Sequence, residues 1–365
     1  MNELDKLAEE QKAAALRAAQ INELKQLLSA KSSQDRYIHT INKYAPLLKV
    51  PELPDKYRGA KNKPNHSWVL VLSDLHIGQK TAADATGHLF EQSTDISRKQ
   101  MQHLWKTIRL LHSIATKSIN VTDLWILQLG DLVEGDGMRT SQVTGIDELV
   151  TKQTIDVVDI LVEFIQNCET IFPVVNVRNT GGNHDRTSQK ASYAGLGELG
   201  YHDTYAWLIA EFERRIFKES IEAGRLTLRN SNSFFDGDII AGQRVAYEHG
   251  ASFKTSTGSY GGIGWYPIQN AGMKYQAMLD GVDILVMGHH HTAACLPLGR
   301  GWQVLNGALP PSTPFVQSGF KRVTIPSQVL FEVHEDFGLV NYRPIYLDLG
   351  NTAKPGDFWK ARENG

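Results

Sequence analysis

The chain has 365 residues, 41% of them hydrophobic and 21% charged, with a formal net charge of −2. This is the composition of a globular protein with a substantial core, and the near-neutral balance excludes a protein-wide field for nucleic acid while leaving room for a local basic groove. Two cysteines are too few for a disulfide framework, no stretch approaches the ~20 apolar residues of a membrane span, and the acidic start at Glu3, Asp5, Glu9 and Glu10 is unlike a signal peptide, so a cytoplasmic protein without membrane contact is expected.

Over residues 1–30, Leu4, Leu7, Gln11, Ala14, Ala18, Ile21, Lys25 and Leu28 fall on alternating steps of three and four. This short heptad seam predicts an N-terminal helical segment within 1–50, its stripe covered either by a second copy in a homodimer or by the chain's own body. Residues 51–66 read as a basic linker, because Lys56, Arg58, Lys61 and Lys63 are mixed with Pro51, Pro54 and Pro64. Residues 1–64 hold twelve Lys or Arg against eight Asp or Glu, a local +4. Such a run is ordinarily a solvated surface, and phosphate contact is its functional alternative.

A body over 67–350 and a tail over 351–365 follow. The first strand ends the run Val69-Leu70-Val71-Leu72, and a helix from Asp95 and Ser97 carries Met101, Leu104, Trp105, Ile108, Leu111 and Ile114 on one stripe. His103 and His112 flank that stripe as surface or boundary residues. A second strand at 124–129, a helix near 147–167, a third strand at 171–177 and a helix near 201–217 come next. That alternation predicts parallel crossover units in a layered α/β fold. Strands are expected around 226–228, 239–240, 244–247, 282–287, 303–305, 321–333 and 338–347, enough for a second sheet packed on the first. The glycine-rich stretch with Tyr260, Trp265 and Tyr266 lacks phosphate-loop spacing and reads as a lid, a stacking platform or a packed loop.

Polar groups gather where the apolar runs end. Asp74 and His76 follow the first strand, Gly130-Asp131 the second, Gly182-Asn183-His184-Asp185 the third, His249-Gly250 the run at 245–247, and Gly288-His289-His290-His291 the run at 282–287. Ligand sites in α/β folds form at the carboxyl ends of strands, so five such ends carrying carboxylates, imidazoles or an amide point to one site. Were the chain extended past Gly288, His289 and His291 would share a face and His290 would point away. Cys295, four residues beyond His291, is expected to be a buried, inert thiol. Mixed His, Asp and Asn donors suit two divalent cations, Mn²⁺ first, with Fe, Zn²⁺ or Mg²⁺ as alternatives. A pair of cations clamps phosphoryl oxygens and activates a hydroxide for in-line attack, and an unligated rim histidine protonates the leaving oxygen.

The ordered set Asp-x-His, Gly-Asp, Gly-Asn-His-Asp, His-Gly and Gly-His-x-His over 69–292 resembles the calcineurin-like metallophosphoesterase family. The resemblance implies a four-layer α/β/β/α sandwich, here with an N-terminal helical extension. It implies Asp74, His76 and His291 at one metal, Asn183, His249 and His289 at the other, and Asp131 bridging the two. His184 would be the acid or transition-state donor and Asp185 would orient it. Ser-Asp-Leu-His-Ile-Gly and Gly-Asp-Leu-Val-Glu-Gly-Asp-Gly are most similar to the DNA-acting branch, which includes SbcD-type repair exonucleases, the small subunit of archaeal D-family DNA polymerase and phage phosphoesterases. One departure is that no histidine follows Gly130-Asp131 closely; Arg139 or Arg186 would stand in its place, or either would be a surface salt-bridge residue. The function expected is a dinuclear phosphodiesterase, a nuclease hydrolysing DNA. The alternatives are a small-molecule phosphoesterase acting on cyclic nucleotides, dinucleotides or nucleotide pyrophosphates, and a non-catalytic polymerase-type accessory subunit.

Overall fold

The structure, a computed structural model, describes residues 49–60, 62–136, 140–187, 202–253, 263–353 and 359. The N-terminal seam, Arg139, Tyr260 and nearly all of the tail beyond 353 lie outside the described residues.

Strands β1 (Asn65–Leu72), β2 (Asn120–Leu129), β3 (Val175–Thr180) and β4 (Leu226–Asn230) run parallel, each register pairing with the next. Antiparallel β10 (Ser327–His334) and β11 (Gly338–Tyr346) extend this sheet on the β1 side, giving the order β11-β10-β1-β2-β3-β4. The second sheet joins β5 (Phe235–Ile240), β6 (Gln243–Glu248), β7 (Ile284–Met287), β8 (Ala294–Leu298) and β9 (Gly301–Leu305) in the order β5-β6-β7-β9-β8. The six residues Trp68 to Ser73 are buried without interruption, as expected for a strand covered on both faces. Alternate residues Val69 and Val71 join Trp125, Leu127, Tyr247, Val286, Val304 and Phe331 in the core between the sheets.

Helices α1 (Thr94–Ala115), α2 (Val150–Glu169) and α3 (Tyr205–Ile216) cover the outer face of the first sheet, followed by the short α4 (Lys218–Glu222). Helix α5 (Trp265–Met278) packs Ile268 and Tyr275 on Leu285, Met287, Leu298 and Leu305 at the outer face of the second. The result is the expected α/β/β/α stack of four layers.

Several local expectations are corrected. His112 is not a boundary residue but lies in the core at 1% exposure, edge-on to Trp68 and Phe172, and burial aided by the Lys56 charge pushes its imidazole down to about 4. Ile114 is instead the exposed member of the α1 stripe. Trp265 and Tyr266 open α5 rather than a loop. The stretch at 314–320 is a helix, α6 (Pro314–Phe320), because Thr313 caps Val316 N and Pro314 occupies the first turn. Pairing with β11 begins only at Ser327, after Pro326, which has no N–H to donate, and pairing with β1 only at Leu330. The supposed linker lies against the body: Asn120 Nδ2 donates to Ala60 O (2.7 Å) and Lys63 O (3.1 Å), and Arg225 Nη1 donates to Pro51 O (3.0 Å). Among the described residues no helix is long and apolar enough to cross a membrane.

A buried acid under α3 predicts a pH effect on stability. Burial pushes Glu213 up from 4.5 to about 8, against the hydrogen bond that Gln128 Nε2 donates to it at 2.9 Å. A folded-state value above the unfolded one means that the stabilisation is complete below the ordinary value and is lost as pH rises through the folded one. Replacing the acid by its amide, Glu213→Gln, should therefore leave a melting temperature that falls less than the parent's between pH 5 and 8. Parallel melting curves over that range would show that Glu213 folds as an ordinary carboxylate.

Candidate metal centre

The parallel strands deliver the predicted residues to one edge. Asp74 and His76 follow β1, Asp131 follows β2, Asn183, His184 and Asp185 follow β3, His249 follows β6, and His289 and His291 follow β7. Of the nine described non-glycine residues with positive φ, five are here: Asp74, His76, Asp131, His289 and His291. Left-handed backbone at side chains larger than glycine costs energy and concentrates at functional turns. It also corrects the extended geometry expected after Gly288. His289 and His291 do not share a strand face; left-handed turns send them to opposite halves of the centre. His290, buried at 6% exposure, packs edge-on against His289.

Three overlapping groups result: Asp74, His76 and His291; His76, Asp131 and His184; Asp131, His249 and His289. Within each, the potential ligand atoms lie within 4.8 Å of one another. His291 Nε2 is 3.1 Å from His76 Nε2 and 3.3 Å from Asp74 Oδ1. At the other end, His249 Nε2 is 3.1 Å from Asn183 Oδ1, 3.2 Å from His289 Nδ1 and 3.2 Å from Asp131 Oδ2. That same Asp131 oxygen is 3.9 Å from His76 Nε2, so one carboxylate oxygen stands between both halves. Asp131 Oδ1 meanwhile accepts from His184 N at 2.7 Å, which fixes the carboxylate's rotation.

The outward nitrogens of the two central rings are anchored. His76 Nδ1 meets Glu134 Oε2 at 2.8 Å, and His249 Nδ1 meets Leu129 O at 2.7 Å. With Nδ1–H donated outward, each Nε2 is left facing the centre, the arrangement that outer groups impose on metal-binding histidines. Burial alone would discharge both rings, yet Glu134, Asp131 and Asp74 lift His76 to about 9, and Asp131 and Asp74 lift His249 to about 10. The buried carboxylates thus draw positive charge to the inward Nε2 atoms. A donor set of imidazole nitrogens, carboxylate oxygens and an amide oxygen, with such a field, fits two divalent cations.

Sequence reasoning missed Glu134, whose only signal was a carboxylate three residues after Asp131. Its backbone carbonyl takes the Nδ1 proton of His184 at 2.8 Å, while its carboxylate holds His76. The expected role of Asp185 is corrected accordingly. Its carboxylate accepts from the backbone of Asp131 (2.7 Å), Gly182 (2.8 Å) and Leu132 (3.1 Å), clamping two loops together rather than orienting the His184 ring. Burial and then the Asp131 charge push Asp185 up to about 6. The clamp needs Gly182, since a Cβ there would sit 2.2 Å from Asp131 Oδ1. Of the two arginines in question, Arg186 forms a backbone β-bridge with Thr204. Removing the Glu134 carboxylate, as in Glu134→Ala, should weaken metal affinity by roughly 10- to 100-fold, the usual cost of losing an outer partner. Titration of the metal-free protein with Mn²⁺ checks this, and unchanged affinity would make the Glu134–His76 contact incidental.

Asp74 rests on a buried polar network that no sequence pattern announces. Ser73 Oγ donates to Asp74 Oδ2 (2.6 Å), Asn306 Nδ2 to Ser73 Oγ (2.9 Å) and Gln328 Nε2 to Ser73 O (3.1 Å). His289 N also donates to Asp74 Oδ2 at 2.9 Å, linking the β1 and β7 loops. Gly288 allows that approach, because a Cβ would lie 2.4 Å from Ser73 Oγ.

A family model, calcineurin-like phosphoesterase, matches residues 67–293, a stretch that holds every residue of the centre. The chain belongs to this family. Several solved structures are similar to this phosphoesterase. Vps29 from Entamoeba histolytica, solved with Zn²⁺, is 15% identical, covering 77% of this chain and 99% of that one with a TM-score of 0.33. An archaeal phosphodiesterase is 13% identical over 76% of this chain and 99% of its own, with a TM-score of 0.31. A hypothetical protein from Pyrococcus horikoshii is 13% identical over 81% and 94% of the two chains, with a TM-score of 0.36. No curated protein matches the phosphoesterase in sequence.

Proposed function

We propose that this phosphoesterase is a metal-dependent phosphodiesterase acting on nucleic acid, most closely a DNA nuclease. The observation that carries the reading is the convergence of six candidate ligands with Asp131 between them, the outward nitrogens of His76 and His249 anchored so that Nε2 faces inward. Asp74, His76 and His291 would hold one divalent cation, Asn183, His249 and His289 the other, and Asp131 both. Bound there, two such cations supply Lewis acidity toward phosphoryl oxygens and an acidified water.

The chain's own groups would do the rest. His184 gives its Nδ1 proton to Glu134 O, and among the described residues its Nε2 has no hydrogen bond. Nε2 is therefore the atom that can carry a proton to the leaving oxygen, or donate to a phosphoryl oxygen as charge builds there. Asp185 holds the Asp131 and His184 loops at a fixed separation, so acid and ligands keep their spacing during turnover. The choice of DNA is supported by the likeness of the Asp74 and Asp131 motifs to the DNA-acting branch, and the completeness of the ligand set speaks against a purely structural subunit. Cys168 and Cys295 are free thiols, in keeping with a cytoplasmic setting. The thiol at 295 is half-buried rather than buried, and burial raises its pKa.

Incubation of the purified, Mn²⁺-supplemented protein with labelled single-stranded DNA, duplex DNA, RNA and cyclic nucleotides tests this. DNA cleavage that stops on chelation is the expected result. Hydrolysis confined to cyclic nucleotides or other small phosphodiesters would replace the nuclease by the small-molecule enzyme. No hydrolysis at full metal loading would leave the accessory-subunit reading.

A further inference from the structure

Arg322 adjoins the centre yet belongs to none of its motifs, and it lies beyond the matched residues 67–293. It follows Lys321, whose left-handed φ of 52° ends α6. The surrounding backbone is pinned: Ser312 Oγ donates to Arg322 O (2.8 Å), Thr324 N to Pro311 O (2.8 Å) and Leu309 N to Asp74 O (3.1 Å). The loop that carries Arg322 is thereby tied to a candidate ligand.

Its guanidinium is half-buried and donates through Nη2 to His290 O at 2.9 Å, the carbonyl between His289 and His291. Among the described residues this is the only hydrogen bond the guanidinium makes, and no carboxylate lies within ion-pair distance of it. Four other half-buried or buried arginines differ. Arg98 pairs with Asp156, Arg178 with Asp238 and Arg343 with Glu332, and Arg225 donates to four backbone carbonyls. A guanidinium has five N–H donors, and withdrawing its charge from water without an anion is costly. After burial, the Arg322 charge is among the influences that push His290 and His291 below the usual imidazole range, which puts it within electrostatic reach of both. A planar donor fork of this kind matches two oxygens of a phosphoryl group.

We propose that Arg322 binds a non-bridging oxygen of the substrate phosphate on the Asp74, His76 and His291 side of the centre, and so selects substrates with an anionic phosphoryl group. The proposal rests on the phosphodiesterase reading above. Its test compares the full-length parent, Arg322→Ala and Arg322→Gln for metal content, melting temperature, binding of inorganic phosphate by calorimetry, and hydrolysis of bis(4-nitrophenyl) phosphate. The expected result is unchanged metal content, phosphate affinity lower by roughly ten- to a hundredfold as for a lost charged hydrogen bond, and a matching fall in kcat/KM. Added guanidinium ion should restore part of the Arg322→Ala loss while leaving the parent unaffected. Should Arg322→Ala not fold, Arg322→Gln decides, since it keeps a donor for His290 O and removes only the charge. Parent-like phosphate affinity and KM in the variants would overturn the role of Arg322 alone. Loss of metal in the variants would make it a prop for the His289–His291 turn and overturn it equally. A metal-loaded parent that neither binds phosphate nor cleaves the diester would overturn the phosphodiesterase reading together with it.

Discussion

Asp131→Asn should abolish phosphodiester hydrolysis and strip the protein of most of its divalent metal. The substitution is nearly isosteric, and the amide oxygen can still accept from His184 N as Oδ1 does at 2.7 Å, so the loops should keep their places. What changes is the second atom. Oδ2 stands 3.2 Å from His249 Nε2 and 3.9 Å from His76 Nε2. An NH₂ group there brings hydrogens and no charge to the one point shared by both halves. A neutral amide bridges two cations poorly, and the buried field that draws positive charge inward loses one of its carboxylates. The fall in turnover should exceed the roughly 10- to 100-fold that accompanies loss of an outer partner. Elemental analysis, turnover and a melting curve on one preparation would check this. Two bound metals per chain with near-parental turnover would remove Asp131 from the bridging position.

His184→Ala is expected to separate chemistry from metal binding. Turnover should drop by about 10² to 10⁴, the range for general acid catalysis, at unchanged metal content. Geometry leaves the alternative open to measurement, because His184 lies within ligand distance of His76 and Asp131 as well as against Glu134 O. A ligand would take its metal with it when removed; an acid would not. A leaving-group series sharpens the test, since substrates with acidic leaving groups need little protonation and should be the least affected. Metal lost from His184→Ala in proportion to activity would reassign it to the ligand set.

The two substitutions also show where the chain is legible from its residues and where it is not. Strand alternation, the apolar run at 69–72 and the helix stripe through Leu104 and Ile108 are local patterns, and they predicted the parallel sheet and its covering helices. The polar groups at five strand ends were legible for the same reason: parallel strands all finish on one edge, so residues distant in sequence must meet there. That placed Asp74, His76, Asp131, Asn183, His184, His249, His289 and His291 among the candidates, and the family resemblance is what assigned each a role. Which way each one turns was decided by the tertiary structure. The period-two rule for His289 and His291 failed because left-handed turns at both replace the extended chain. Asp185 was assigned to its sequence neighbour His184, but its lone pairs went to the amides of Asp131, Leu132 and Gly182, which packing brings closer. His112 looked like a boundary residue on a helical wheel, and the Trp68 and Phe172 rings closed over it. Glu134, Asn306, Gln328 and Arg322 carry the same lesson. Each matters through a hydrogen bond to a group that the fold, not the local chain, sets beside it. Periodicity and residue chemistry at strand ends pointed to a layered α/β fold and to one cluster of candidate ligands; partners, tautomers and charge states depend on distances between loops that only the packed sheets establish.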